Sequence, residues 1–202
     1  MSENPRPFEE IYAEAGDDLD AIPWASLAAN PSLVAWLDSG AARPPGAGDR
    51  ALVVGCGLGD DAEELARRGW RTTGFDISST AIARCRERFP GSAVDYEVAD
   101  LFELPRTWDA AFGLVVEIRT LQSLPLALRA AAVDAIAATV APAGQLFVRC
   151  YGRRPGQRVE QRPWPVSRDE LAGFTRNGLR VSSFEEGDER SEPMFTVVYE
   201  RR

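Results

Sequence analysis

Two residue types that carry much of enzyme chemistry are missing from this chain of 202 residues. The sequence has no histidine and no lysine, so every basic residue is arginine. This absence excludes Ser-His-Asp and Cys-His nucleophile systems, histidine metal sites, lysine Schiff bases and the phosphate-binding lysine of a P-loop. Any chemistry must therefore use carboxylates, hydroxyls, arginine or a reactive cofactor.

Cysteine is scarce as well. Cys56, Cys85 and Cys150 are far apart and form no CxxC pair, which predicts neither a zinc site nor a disulfide framework. We expect no bound metal and a reducing, cytoplasmic location.

Long apolar runs and an excess of positive charge are also lacking. The apolar stretches are too short to cross a bilayer, and the acidic N-terminus has no apolar core of the kind found in signal peptides. The formal net charge is -8, which repels a phosphate backbone. We therefore expect neither a membrane nor a nucleic acid as partner.

The chain length and the absence of a long linker predict a single domain. Within it, residues 1–45 are predicted to form an N-terminal helical lid segment. Asn30 and Pro31 form a helix-start signal there, and Gly40 ends that helix. Residues 46–202 are predicted to form the main body.

Strands and helices alternate from Ala51 onwards. Strands are predicted at 51–54, 71–75, 93–98, 111–116 and 145–150, with helices at about 60–68, after Ser78 or Ser79, and through 130–140. Ser167 and Glu170 form a capping box for a last helix, and two closely linked strands follow at 179–184 and 194–199. This order predicts a doubly wound, Rossmann-like α/β fold with seven strands, mostly parallel with an antiparallel C-terminal hairpin.

A glycine loop with the spacing G-x-G-x-G, Gly55 to Gly59, lies between the first predicted strand and helix. Glycines let such a loop turn tightly and let a ligand approach the backbone. Asp60 stands where a dinucleotide loop has its third glycine, and a carboxylate there would face a pyrophosphate. S-adenosylmethionine has no phosphate and carries a positive sulfonium, so it suits the acids Asp60 and Asp61 better than NAD does.

Acids also follow the next two strands. Asp76 ends the second strand, where nucleotide folds place an acid against ribose hydroxyls. Asp100 follows the third strand, and Leu101 and Phe102 after it are placed to flank an adenine ring. Each feature alone is more often a turn, a helix cap or a solvated acid; their shared order favours a cofactor site.

Four segments carry a family resemblance: GCGLGDDAEELARRGWRTTGFDISSTAIARC, ADLFELP, WDAAFGLVVEIRTLQSLPLALR and APAGQLFVRC. They resemble class I S-adenosylmethionine methyltransferases and, more narrowly, the thiopurine S-methyltransferase and tellurite-resistance methyltransferase superfamily. The resemblance covers about Trp24 to Arg202. It implies a cofactor site with Gly55, Gly57 and Gly59 at the methionine part, Asp76 and Ile77 at the ribose, and Asp100 and Leu101 at the adenine. The other predicted cofactor-binding residues are Cys56, Asp61 and Phe102.

The resemblance also implies an acid-arginine pair after the fourth strand. Glu117 and Arg119 occupy that place and are the candidate catalytic residues, with Glu117 against the cofactor and Arg119 against the substrate. Two positions depart from the common pattern. Val53 stands where many class I enzymes have an acid, and Glu117 replaces an aspartate.

Aromatic residues supply the remaining candidates. The resemblance places Trp24 over the cofactor and acceptor, although a plain core tryptophan explains it equally well. Tyr151 and Trp164 are candidates for the acceptor pocket. The loop near Trp164 is crowded with arginines, which favours a solvated surface and leaves an anionic acceptor open: Arg153, Arg154, Arg158 and Arg162. Cys56 is expected to point into the packing of the sheet, with no catalytic role.

The function predicted from this pattern is methylation of a small molecule with S-adenosylmethionine as cofactor. S-methylation of a thiol by in-line displacement fits the missing histidine, because a thiol is partly ionised at neutral pH and needs no dedicated base. Two alternatives remain open: an O- or N-methyltransferase of natural-product metabolism, and a non-catalytic S-adenosylmethionine-binding protein. A monomer or homodimer is expected.

Overall fold

The computed structural model describes residues 6–46, 49–157, 162–189 and 192–202. Arg158 of the arginine-rich loop lies outside the described residues. The chain forms two compact units, Met1–Asp100 and Leu101–Arg202. The division into residues 1–45 and 46–202 stays a prediction.

The first unit contains four α-helices and three strands among its described residues. They are α1 (Arg6–Ala15), α2 (Pro31–Asp38), β1 (Arg50–Val54), α3 (Asp60–Arg67), β2 (Arg71–Asp76), α4 (Ser79–Arg88) and β3 (Asp95–Val98). β1 pairs with β2 and β2 with β3, both in parallel. The predicted alternation of strand and helix is confirmed for this half of the chain.

Local capping explains where two of these helices begin. The side chain of Asn30 accepts a hydrogen bond from the Ser32 N–H, and Pro31 opens α2 with its φ already helical. The Ser78 side chain accepts from the Ala81 N–H at 3.0 Å and starts α4. Of the two serines proposed as its cap, Ser78 is the one that performs this role.

The second unit contains three α-helices and four strands among its described residues. They are β4 (Phe112–Ile118), α5 (Leu126–Thr139), β5 (Val140–Tyr151), α6 (Arg168–Leu171), α7 (Gly173–Arg176), β6 (Leu179–Glu189) and β7 (Glu192–Arg201). β4 pairs with β5 in parallel, and β7 pairs antiparallel with both β5 and β6. The predicted C-terminal hairpin is confirmed.

Several boundaries differ from the prediction in this unit. β5 begins at Val140, which pairs with Phe112, five residues before the predicted start. The capping box of Ser167 and Glu170 is present, but two four-residue helices replace the single helix predicted after it. β6 and β7 extend to Glu189 and from Glu192, because cross-strand pairing continues beyond the apolar residues on which the prediction relied.

The strands run in the order β3-β2-β1 in the first unit and β4-β5-β7-β6 in the second. The predicted Rossmann-like fold, mostly parallel with antiparallel C-terminal strands, is confirmed. Central strands are buried, as expected when helices cover both faces of a parallel sheet. In the part of the chain that the structure describes, every helix is too short or too polar to cross a membrane.

Candidate functional site

The glycine loop of the first unit has a backbone that side chains would disturb. Gly55, Gly57 and Gly59 have φ angles of +59°, +55° and +89°, the left-handed region that favours glycine. A Cβ added to Gly59 would lie 2.5 Å from the hydroxyl of Tyr96. The N–H of Cys56 donates to the carbonyl of Phe75 at 2.8 Å and ties the loop to β2.

Asp76 joins this loop to the end of β2. Its Oδ2 accepts from the Gly57 N–H at 3.0 Å, and its Oδ1 accepts from the Ser78 N–H at 3.0 Å. Burial raises the pKa of Asp76 above its usual value, and these backbone hydrogen bonds only partly oppose that rise. The acid therefore lies beside the glycine loop, as predicted; its contact with a ribose stays a prediction.

Tyr12 of α1 lies directly over the loop. Its hydroxyl is 3.1 Å from the position of a Cβ on Gly57, and it accepts a hydrogen bond from Trp24 Nε1 at 2.9 Å. Burial and the charge of Asp76 raise the pKa of Tyr12, so the phenol stays protonated. The structure thus places Trp24 behind Tyr12, their rings edge to face at 5.6 Å.

The sequence interpretation missed Tyr12 as a site residue. The available signal was its spacing four residues from Phe8 on an amphipathic helix, and Phe8 also packs edge to face on Trp24 at 5.7 Å. That spacing shows which face of α1 is apolar, but not which surface it covers.

Glu9 fixes α1 to the start of α4. Its carboxylate accepts from Ser78 Oγ at 2.6 Å, from the Thr80 N–H at 3.3 Å and from the Thr80 hydroxyl. Burial alone would raise the pKa of Glu9, but these hydrogen bonds outweigh it and hold the pKa below its usual value. A carboxylate at a helix N-terminus is also favoured by the helix dipole.

The acids that follow the loop have protein partners. Asp60 pairs with Arg88 at 2.8 Å. Asp61 Oδ1 accepts from the N–H of Asn30 at 2.7 Å and so supports the start of α2. A cofactor contact of Asp61 stays a prediction, as it does for Asp100 and for Ile77, whose side chain is partly open to solvent.

Cys56 packs as expected. A Cβ added to Gly74 of β2 would lie 3.3 Å from its sulfur and 3.4 Å from the Cβ of Ala62 in α3. A hydrogen bond with Cys85 and burial raise the pKa of Cys56, so the thiol stays protonated. Cys56 is nevertheless partly exposed, so it packs against β2 and α3 without being fully buried.

In the second unit, Leu101 is buried and Phe102 is exposed in a short 3-10 turn over Leu101–Glu103. Their predicted contact with an adenine ring stays a prediction. Of the two side chains, only that of Phe102 is exposed to solvent.

Glu117 lies inside β4, not after it, which corrects the predicted position. The side chain has no exposed surface. Oε1 accepts from the backbone N–H groups of Thr120 and Leu121 at 2.7 and 2.9 Å, and Oε2 has no hydrogen-bond partner among the described residues. Burial raises the pKa of Glu117 from its usual 4.5 to about 7.

Arg119, Tyr151 and Trp164, the three candidate acceptor residues of this unit, are linked to one another. The Arg119 guanidinium lies 5.6 Å from the centre of the Tyr151 ring. The buried Gln122 accepts from the Tyr151 N–H through its side chain at 2.6 Å and from the Trp164 N–H through its carbonyl at 2.8 Å. Gln122 was missed because a lone glutamine in a turn has no sequence signature.

Buried Arg129 of α5 holds the loop that carries Trp164. Its guanidinium donates to the carbonyls of Trp164 and Pro165 and pairs with Glu170 at 2.8 Å. Arg153 of the arginine-rich loop pairs with the same Glu170. These contacts favour a structural role for Arg153, while Arg162 stacks over the Trp164 ring at 5.2 Å.

Residues 51–144 match the family model described as the methyltransferase domain. The chain is also 32% identical over 128 residues to the ubiquinone biosynthesis O-methyltransferase of Pseudomonas aeruginosa, a match that covers 62% of this chain and 53% of the relative. A similar match, 34% identical over 126 residues, is found with the enzyme of the same name from Aromatoleum aromaticum. The chain therefore spans about half the length of the curated relatives it matches.

Solved structures extend the likeness over nearly the whole chain. The 1,6-didemethyltoxoflavin-N1-methyltransferase of Burkholderia thailandensis superposes with a TM-score of 0.75 at 18% identity, covering 97% of this chain and 86% of that one. The N-methyltransferase NodS of Bradyrhizobium japonicum gives a TM-score of 0.71 at 22% identity and covers 97% of both chains. Both were solved with S-adenosylhomocysteine. At these identities the likeness shows the fold.

Proposed function

We propose that this chain is an S-adenosylmethionine-dependent methyltransferase that acts on a small molecule. The observation that carries the proposal is the glycine loop held against Asp76, because this pair of elements lies inside the segment that matches the methyltransferase-domain family model. Asp61 and Asp76 beside the loop suit a cofactor with a positive sulfonium and no phosphate, whereas Asp60 is already paired with Arg88.

The cofactor would supply the methyl group, and the protein would hold and shield it. We expect the backbone of Gly55, Gly57 and Gly59 to lie along the methionine part, and Asp76, which lies beside the loop, to accept from ribose hydroxyls. Tyr12 covers the loop with Trp24 behind it, which would exclude water from this side. Alignment and water exclusion are the main tasks of an enzyme in an in-line displacement.

Calorimetry with S-adenosylmethionine, S-adenosylhomocysteine and NAD tests the proposal. We expect both adenosyl compounds to bind and NAD not to bind. Asp76→Asn should weaken the binding of the adenosyl compounds by about 1–3 kcal/mol, because a charge-assisted hydrogen bond is lost. Asp95→Asn on β3, at an exposed position, is the matched control and should bind like the wild type. Unchanged affinity for the adenosyl compounds in a folded Asp76→Asn protein would contradict the assignment of Asp76 to the ribose. Binding of NAD as tight as that of the adenosyl compounds would contradict the assignment of S-adenosylmethionine as cofactor.

For the acceptor atom we propose a thiol sulfur. The sequence has no histidine or lysine to act as a base, and a thiolate needs none in the transition state. Arginines beside a bound thiol would increase its ionised fraction. The likeness to the thiopurine and tellurite-resistance superfamily supports the same choice.

Oxygen is the second candidate, because the curated relatives are named O-methyltransferases. Matched aromatic thiols, phenols and anilines, incubated with labelled cofactor, separate the two. Thiol methylation whose rate rises towards the thiol pKa is the expected result. Transfer to phenols without transfer to any thiol would replace sulfur by oxygen and leave the methyltransferase proposal standing. A monomeric or dimeric state and a cytoplasmic location remain predictions.

A further inference from the structure

Two arginines of the second unit converge on one carboxylate. Arg119 follows β4 and Arg149 lies in β5, and both guanidinium groups pair with Glu189 at the end of β6. The Arg149 Nη2 to Glu189 Oε2 distance is 3.0 Å. The group, called here the arginine pair, therefore holds two positive charges against one negative charge.

The backbone brings the two side chains to the same place. Arg149 and Tyr151 are two residues apart in β5 and so project from the same face of the strand. Arg119 has a φ of +67°, a conformation that residues other than glycine rarely adopt, while its N–H still donates to the Arg149 carbonyl at 2.8 Å. Its guanidinium then lies over Tyr151. Uncommon backbone of this kind clusters at functional sites.

Both arginines keep an unused donor. The Nε atoms of Arg119 and Arg149 are buried, and neither has a hydrogen-bond partner in the described part of the chain. The other two nitrogens of Arg149 do have partners. Nη2 donates to Glu189, and Nη1 donates to Thr196 Oγ1 at 2.7 Å. These Nε atoms have no contact with solvent, so a ligand would reach the parts of the two side chains that remain exposed, 27% of Arg119 and 14% of Arg149.

Glu189 does not neutralise the pair. Burial would raise its pKa, but the charges and hydrogen bonds of Arg119 and Arg149 outweigh burial and hold the pKa below its usual value. The carboxylate is therefore ionised at neutral pH, and one positive charge remains. A single excess charge matches a monoanion such as a carboxylate better than a phosphate dianion.

We propose that the arginine pair binds a carboxylate group of the methyl acceptor, beside the Tyr151 ring. The inference rests on the proposed methyltransferase function and narrows its substrate class to small molecules that carry a carboxylate. Planar guanidinium forks match carboxylate geometry, and Glu189 holds them in place when no acceptor is bound.

Benzoate and benzamide, which differ only at the charged group, are the probes. Each is titrated into the full chain by calorimetry, with and without saturating S-adenosylhomocysteine. We expect the wild type to prefer benzoate by about tenfold or more, and Arg149→Gln to lose that preference. Arg180→Gln removes an exposed arginine that pairs with Glu200 elsewhere on the sheet, and it should keep the preference.

Glu189→Gln provides a test in the opposite direction. It removes the competing carboxylate but keeps the side-chain volume, so benzoate should bind about threefold or more tightly than to the wild type. This gain of affinity needs a folded protein and cannot come from misfolding. Thermal unfolding of every variant accompanies the titrations.

Equal binding of benzoate and benzamide to the wild type, or an unchanged preference in Arg149→Gln, would overturn the proposal. So would a loss of S-adenosylhomocysteine affinity in Arg149→Gln with the benzoate preference intact, because the bound anion would then be the carboxylate of the cofactor. If the proposed methyltransferase function is wrong, the result is different: S-adenosylhomocysteine does not bind, while benzoate still does.

Discussion

At the scale of single residues, Glu117 makes the stability of the protein depend on pH. Its folded pKa is about 7 against a usual 4.5, because the carboxyl is buried. Below pH 4.5 the group is protonated in both the folded and unfolded states and has no effect. As pH rises from 4.5 to 7, only the unfolded state loses the proton, so the free energy of unfolding falls by about 3 kcal/mol.

Glu117→Gln should remove this loss. The amide oxygen can still accept from Thr120 and Leu121, and a neutral amide replaces the unpartnered Oε2. Between pH 5 and pH 8, the free energy of unfolding of the variant should rise by about 2–3 kcal/mol relative to that of the wild type, as measured by urea unfolding. Other groups titrate alike in both proteins and cancel. Parallel stability curves for the two proteins would show that Glu117 does not titrate in this range.

Gly59 shows how one missing side chain shapes the loop. Gly59→Ala forces a left-handed φ on alanine and puts its Cβ against the Tyr96 hydroxyl and Cys85 sulfur. Gly91 also has a positive φ, +82°, but no atom lies within 4 Å of its added Cβ. Gly91→Ala is therefore the control for backbone strain, which costs about 1–2 kcal/mol.

We expect Gly59→Ala to lower the free energy of unfolding by about 1–3 kcal/mol more than Gly91→Ala, because of the added overlap. It should also weaken the binding of S-adenosylhomocysteine, since Tyr96 and the loop must move. Denaturant unfolding and calorimetry measure the two effects. An equal loss of unfolding free energy in the two variants would mean that Tyr96 can move aside without destabilising the fold.

At the scale of elements, helix α1 is held over the glycine loop by a few polar contacts of Glu9 and by Tyr12. A helix of ten residues is only marginally stable by itself, so these tertiary contacts decide whether it stays in place. The predicted lid would open for the cofactor without unfolding the sheet.

Glu9→Ala should loosen α1 specifically. The lost hydrogen bonds to Ser78 and Thr80 are each worth about 1–3 kcal/mol, since the acceptor is charged. Backbone amides of α1 should exchange with deuterium faster, while those of β1 keep their protection. Glu10→Ala, at an exposed position of the same helix, is the control. Equal exchange in both variants would assign the docking of α1 to its apolar contacts.

At the scale of the whole molecule, charge governs which partners approach. The chain carries 31 acidic and 23 basic residues, and many of the arginines pair with acids, as Arg88, Arg129 and Arg168 do. We expect no measurable binding to duplex DNA at about 0.15 M salt, because a net negative protein gains nothing from counterion release. Fluorescence anisotropy with a labelled duplex checks this, and salt-sensitive binding would contradict it.

Much of the fold follows from the sequence, because its signals are local. The caps Asn30, Ser78 and Ser167 lie within three residues of the N–H groups from which they accept. Apolar strands separated by turn residues can likewise be recognised from a short stretch of sequence. The glycine loop and Asp76 were also predictable, since their backbone role depends on a strand-loop-helix context that the sequence shows.

Contacts between distant residues were decided only by the tertiary structure. Glu189 meets Arg119 and Arg149 across 70 and 40 residues, and Glu9 meets Ser78 across 69. Such contacts depend on strand register, on where each strand ends and on single backbone angles such as φ at Arg119, none of which a residue pattern specifies. The burial of Glu117 depends in the same way on the layers packed around β4, so the sequence identified an acid at this position, and tertiary packing determined its pKa.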